Sequence, residues 1–207
     1  MKSRLESQIE FLNEIEKLKV VYRRNVTIDR SRSENSAEHS WHIAVMALVF
    51  SEHSNEKSLD MSKVVKMLLV HDLVEVYAGD TWLFEDGDTG NRIQRERTSA
   101  DRLFSLLPHD QACEFRSLWD EFEDRRSSEA IYAAAIDSLQ PLINCLLTGR
   151  GINDVGRIEV SRMIESKKHI SLASHTLWEL AQRLIQSGFE RGLFHRDGLE
   201  APCNNID

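Results

Sequence analysis

The apolar run Val64-Val65-Lys66-Met67-Leu68-Leu69-Val70 ends directly on an ionisable pair, His71-Asp72. Burying such a couple is costly unless it is solvated, paired or bound to a metal. A chain that folds around this run must supply one of the three. Two other helix-like segments carry groups able to do so: Glu38-His39-Ser40-Trp41-His42 upstream and Ala133-Ala134-Ala135-Ile136-Asp137-Ser138-Leu139 downstream. His39, His71, Asp72 and Asp137 are thus candidate ligands of one metal centre.

Almost every periodic segment reads as helix. Residues 7–22 place Ile9, Leu12, Ile15 and Leu18 on one stripe. The polar stretch Asn25 to Asn35 is too charged and irregular for a core element. Asn35 with Glu38 three residues on is compatible with a capping box, and the helix that follows presents Trp41, Ala44, Val45, Leu48 and Val49. Asp60 is placed to cap a third helix running to about Ala78, where Gly79 ends it. Thr81–Gly90 reads as an acidic loop. Helices are expected near 92–107, 110–123, 128–148, 156–170 and 172–187, with Pro108, Gly149-Arg150-Gly151 and Gly188 as punctuation. No two alternating β-branched runs are joined by a hairpin turn. The expected fold is all-α, one helical domain over residues 1–188, followed by a C-terminal tail, 189–207, that is extended or partly disordered.

At 207 residues the chain is long enough for one substantial core. Its 41% hydrophobic and 29% charged content is that of a globular protein. A formal net charge of −8 argues against binding nucleic acid polymers or anionic membrane non-specifically, but not against a small anion held by a local cation. The N-terminus leads into a charged amphipathic pattern rather than an apolar leader, and no run is read as a membrane span. The cysteines Cys113, Cys145 and Cys203 show no CxxC spacing and suit reduced thiols in a cytoplasmic protein.

Imidazole and carboxylate donors together suit one borderline divalent ion, Mn²⁺, Co²⁺ or Zn²⁺, with positions left for water and a phosphate oxygen. Adjacent ligands are unusual on a straight helix, where neighbours point about 100° apart. His71 and Asp72 therefore reach one ion only where the helix edge faces the site. A lone helical histidine is more often a core or surface residue, and His53 and His175 are assigned no metal role. His42 shares a helix face with His39 and is read as a supporting or packing residue.

The order H…HD…D resembles that of the HD superfamily of metal-dependent phosphohydrolases. Arg32-Ser33-Glu34-Asn35-Ser36-Ala37-Glu38-His39-Ser40 and His71-Asp72-Leu73-Val74-Glu75-Val76-Tyr77-Ala78-Gly79-Asp80 are similar to the two signatures of its 5′-deoxynucleotidase branch. Leu18-Lys19-Val20-Val21-Tyr22-Arg23 resembles that branch's LKxxxR element, and Trp119-Asp120-Glu121-Phe122-Glu123 is also similar. The likeness runs from about residue 15 to 145. It implies a helical HD domain, commonly homodimeric, hydrolysing nucleoside 5′-monophosphates, preferentially 2′-deoxy. It also implies metal ligation by His39, His71, Asp72 and Asp137, catalysis by Glu75, phosphate binding by Arg23 and a substrate-side role for Asp80.

Glu75 lies four residues after His71 and can project beside the metal to orient water. Arg23 can offer a bidentate fork to phosphate. Asp80 either accepts from a sugar hydroxyl or caps the turn. Ser33 and Glu34 read as supporting groups. Where bacterial members of the branch carry a tryptophan against the sugar, this chain has Arg24, a substrate-binding candidate that leaves the strictness of 2′-deoxy selection open. Competing readings are hydrolysis of deoxynucleoside triphosphates, guanosine tetraphosphate or cyclic dinucleotides, or nucleotide binding without catalysis. Leu73-Val74-Glu75 in place of GYP argues against cyclic dinucleotides, and few basic residues stand near the motifs to hold a triphosphate. Turnover separates an enzyme from a binder.

Overall fold

The computed structural model describes residues 2–80, 89–149 and 158–194. The expected acidic loop, 81–90, falls outside the described residues except for Thr89 and Gly90, which instead begin a helix, and Cys203 also lies outside them. Cys113 and Cys145 are unbridged thiols.

The described chain is a helical bundle, as its periodicity implies. Helices α1 (Arg4–Ile15), α2 (Ser36–Phe50), α3 (Met61–Val70), α4 (Glu75–Ala78) and α5 (Thr89–Phe104) make its first half. Helices α6 (His109–Asp124), α7 (Ser128–Thr148), α8 (Val160–Lys167), α9 (Ile170–Ala173) and α10 (His175–Glu190) make its second. The caps are local and readable. Asn35 accepts from the Glu38 backbone while Glu38 answers the Asn35 N–H, closing a capping box, and Asp60 accepts from Lys63 N–H. Ser127 caps α7, which ends on Gly149 at φ +61°, the left-handed geometry a Cβ disfavours.

Helix α7 is the central strut. It packs on α2, α3, α6, α9 and α10, and buries Tyr132, Ile136 and Leu139 completely, with the Tyr132 hydroxyl donating to Ala47 O at 2.9 Å. By length and composition alone α7 qualifies as a membrane span, contrary to the sequence expectation that nothing in the chain does. Alanines and leucines that meet neighbouring helices on several sides produce the same hydropathy.

Three expectations are corrected. The first predicted helix stops at Ile15, and Glu16–Val20 tightens into a 3₁₀ turn. The polar stretch that followed, read as too irregular for a core element, is buried at both ends although residues 28–32 are exposed: β1 (Tyr22–Val26) and β2 (Ser33–Asn35) pair antiparallel with an irregular register, Tyr22 opposite Asn35 and Val26 opposite Ser33. Asn25, Val26, Glu34 and Asn35 are buried there. Their amides and carboxylate find partners on α7 and α2, which is why a polar ribbon can lie inside. Gly188 does not end the last helix. It sits within α10, which continues to Glu190, and the chain then folds back so that Phe194 packs on it. A Cβ at position 188 would lie 2.3 Å from the Phe194 ring, so this return needs glycine. Phe194 is 3% exposed.

Candidate metal centre and substrate cavity

Helix α3 changes pitch where its apolar run ends. His71–Val74 forms a 3₁₀ turn before α4 resumes at Glu75, and Gly79, at φ +75°, ends the helical path. Tighter winding at the ionisable pair allows both neighbours to face one point, the edge geometry that adjacent ligands require. One atom each from His39, His71 and Asp72 lies within 4.8 Å of the others. Asp137 completes the group: its Oδ1 is 2.9 Å from His39 Nε2 and 3.8 Å from His71 Nε2.

The histidine tautomers follow from their outer partners. His71 Nδ1 stands 2.9 Å from Leu68 O, which can only accept, so Nδ1 carries a hydrogen. Gln140 Nε2 donates to Glu34 Oε1 at 2.9 Å, which turns Gln140 Oε1 toward His39 Nδ1 at 3.2 Å. His39 therefore donates from Nδ1 and presents the Nε2 lone pair to Asp137 Oδ1. Burial and the Arg23 charge hold His39 below the usual histidine range, in agreement with that neutral form. His71 Nε2 is buried without a hydrogen bond, although Asp72 Oδ1 is 3.0 Å away. Burial opposes a charge on His71, but Asp72 and Asp137 outweigh it and raise its pKa. Ring nitrogens and carboxylate oxygens converge on a point that demands positive charge. That donor set fits a divalent metal ion, and the outer hydrogen bonds to Leu68 O and Gln140 are those that orient ligating imidazoles.

The centre opens into a cavity of about 270 Å³. Arg23, Arg24, Glu75, Asp80 and Asp137 all line it. Arg23, on β1, is half-buried; Nη1 donates to Asp72 Oδ2 at 2.9 Å and lies 3.8 Å from Asp80 Oδ1. Burial works against its charge, but Asp72, Asp80, Glu75 and Asp137 hold its pKa above the ordinary arginine value. Burial, with Asp72 and Asp80 adding to it, pushes the Glu75 carboxyl up to about 9, and the Ser36 hydroxyl meets its Oε2 at 2.6 Å. Burial also raises Asp80, and lifts Glu34 to about 6. Phe122 of α6 flanks the His71 ring, centroids 4.8 Å apart.

The four predicted ligands, with Glu75, Arg23, Arg24 and Asp80, therefore gather in one place. His42 lies outside the ligand group, its Nδ1 3.4 Å from Gln140 Nε2, in the supporting position expected of it. Sequence reasoning missed Gln140, Ser36 and Lys167. Gln140 stands three residues after Asp137, on the same helix face, and that spacing was the available signal. Ser36 was hidden inside the capping segment, and nothing local marked Lys167.

A family model described as HD domain matches residues 15–178. A crystal structure from Magnetospirillum magnetotacticum MS-1, of a "predicted metal-dependent phosphohydrolase", is 40% identical, with a TM-score of 0.85 over 93% of this chain and 99% of that one. The human protein named 5′-deoxynucleotidase HDDC2 is 30% identical over 142 residues, covering 66% of each chain. Its Bos taurus counterpart is 30% identical over 140 residues, 65% of this chain and 64% of that protein. The matched region thus spans just under two thirds of the length of these curated relatives.

Proposed function

The chain belongs to the HD-domain family, and from that membership we propose that it is a metal-dependent 5′-nucleotidase releasing phosphate from nucleoside 5′-monophosphates, 2′-deoxy forms preferred. One observation carries the reading: His39 groups with His71, Asp72 and Asp137, and the last three share a cavity wall with the Arg23 guanidinium and the Glu75 carboxyl. The names of the human and bovine relatives support the substrate class. The anionic group of the substrate belongs at the ligand end, beside Arg23.

His39, His71, Asp72 and Asp137 would hold the ion. When bound, a divalent ion such as Mn²⁺, Co²⁺ or Zn²⁺ makes a water more acidic and offsets charge on the phosphoryl oxygens. Glu75 orients the attacking water and takes its proton. It does so in its carboxylate form, with the Ser36 hydroxyl 2.6 Å from Oε2 fixing its orientation. Arg23 donates to the phosphate, exchanging part of its pairing with Asp72 and Asp80 for the ligand. Arg24 and Asp80 line the cavity and face the sugar.

Phosphate release from matched deoxy- and ribonucleoside monophosphates, with metal-stripped protein resupplied with each ion, tests the reading. Turnover confined to monophosphates and lost in Glu75→Ala is expected. No release with any metal, or release only from triphosphates or cyclic dinucleotides, overturns it. The same reading includes a homodimer and a reducing, cytoplasmic setting. Trp41, Val45, Leu48 and Val49 are 42–65% exposed along α2 and suit a self-association face. The unbridged Cys113 and Cys145 suit the compartment. Sedimentation of Val45→Glu as a monomer, against a wild-type dimer, checks the first.

A further inference from the structure

Lys167 ends α8 and lines the same cavity while being only 5% exposed. Among the described residues it has no hydrogen bond and no ion pair. Its neighbour Lys168, on the surface, pairs with Glu165 at 3.6 Å, so the lone charge is the buried one. The Lys167 stem is packed away from bulk water and its ammonium has no protein partner among the described residues, an arrangement that costs free energy unless water or an anion in the cavity meets it. Burial pushes Lys167 down to about 8. Asp137 acts against that shift, while Arg23 and Arg125 reinforce it. Lys167 and Asp137 line the same cavity, so the ammonium shares that space with the metal-ligand end.

Two of the cationic side chains on that wall are already engaged with carboxylates. Arg23 is already paired with Asp72 at 2.9 Å and faces Asp80 at 3.8 Å. Arg92, also on the cavity wall, faces Glu96 at 3.9 Å. A phosphate monoester dianion must enter a wall that already holds Asp72, Glu75, Asp80 and Asp137. Lys167 carries an unpaired donor into that space.

We propose that Lys167 is a second phosphate-binding group of this site, donating from Nζ to an oxygen of the substrate's phosphoryl group. The inference rests on the reading of the cavity as a phosphomonoester site. It gives the buried charge a partner only in the complex, so Lys167 lowers the stability of the free protein and raises affinity for the anion.

Calorimetric titration with inorganic phosphate, and separately with 2′-deoxyadenosine, tests it on wild type, Lys167→Met and Lys167→Arg, with Mn²⁺ and after chelation. Lys167→Met is expected to weaken phosphate binding by about tenfold or more, the worth of a charge-assisted hydrogen bond. Deoxyadenosine should bind within about twofold of wild type, and Lys167→Arg should recover most of the phosphate affinity. The Met variant should melt no lower than wild type, because a buried charge has been removed; if it melts early, Lys167→Gln takes its place in the titration. Phosphate affinity unchanged within about twofold overturns the proposal, as does an equal loss for deoxyadenosine, which would assign Lys167 to the nucleoside. Phosphate binding that depends on Lys167 in a protein that hydrolyses no nucleotide would sink the nucleotidase reading and leave this one standing.

Discussion

His39 and His71 present the same atom to the same point by different means. His71 is held by its own chain: a backbone carbonyl three residues back fixes Nδ1, and the 3₁₀ turn aims the ring. His39 is held by side chains: Gln140 fixes Nδ1, and Glu34 in turn fixes Gln140. A backbone acceptor survives any substitution that leaves the turn folded. A relay of two side chains from β2 and α7 can be cut at either link without moving the helices. The metal centre therefore has one arm protected by the fold and one exposed to single changes in its surroundings.

The largest effect expected is from removing a ligand on the protected arm. Asp72→Ala takes away a ligand and the carboxylate that pairs with Arg23, and should lower turnover by about a thousandfold or more, the equivalent of several kcal/mol of transition-state charge stabilisation. Metal content by mass spectrometry should fall with it; a metal-replete, active variant would remove Asp72 from the ligand set. Gln140→Leu cuts the relay on the other arm and should cost about 10–100-fold in metal affinity or turnover while circular dichroism stays unchanged. An unaffected variant would mean that His39 is held by packing alone and would erase the contrast.

The metal-free protein should also report the site through pH. Glu34 and Glu75 are raised from 4.5 to about 6 and about 9, so the folded state retains protons that the unfolded chain gives up. The stability these two carboxyls contribute is full below about pH 4.5 and is lost as pH rises, through about 6 for Glu34 and on toward 9 for Glu75. The Glu34 share is about 2 kcal/mol at most. Urea titrations of chelated protein across that window should show the decline, and Mn²⁺ should stabilise more at the upper end. A flat profile would place both carboxyls in water. The smallest effect belongs to the cap beneath the relay arm: Asn35→Ala should lower stability by about 1 kcal/mol, read from denaturant midpoints. No change would mean that α2 is held wholly by its packing on α3 and α7.

The helices and their caps were legible in the chain because those signals are local. Asn35 with Glu38, Asp60 before α3 and Gly149 after α7 act within a turn or two, whatever surrounds them. The ligand set was legible through order and flanks, as a resemblance. The β1–β2 ribbon was not. Its burial depends on Asn144 and Gln140 of α7, more than a hundred residues downstream, which receive Asn25 and Glu34 and let polar side chains lie inside. The return of Phe194 onto Gly188 was invisible for the same reason, since a glycine reads as punctuation until something packs against it.

Residue periodicity and capping chemistry by themselves determined an all-helical chain and placed His39, His71, Asp72 and Asp137 on three separate helical segments. Tertiary structure alone decided that His71 and Asp72 share a 3₁₀ turn, that Arg23 pairs with Asp72, and that Lys167 reaches the cavity without a partner among the described residues. Periodicity and caps are settled by forces acting over one or two helical turns. The environment of a charge is set by whatever the rest of the chain brings beside it, and no short stretch of sequence carries that information.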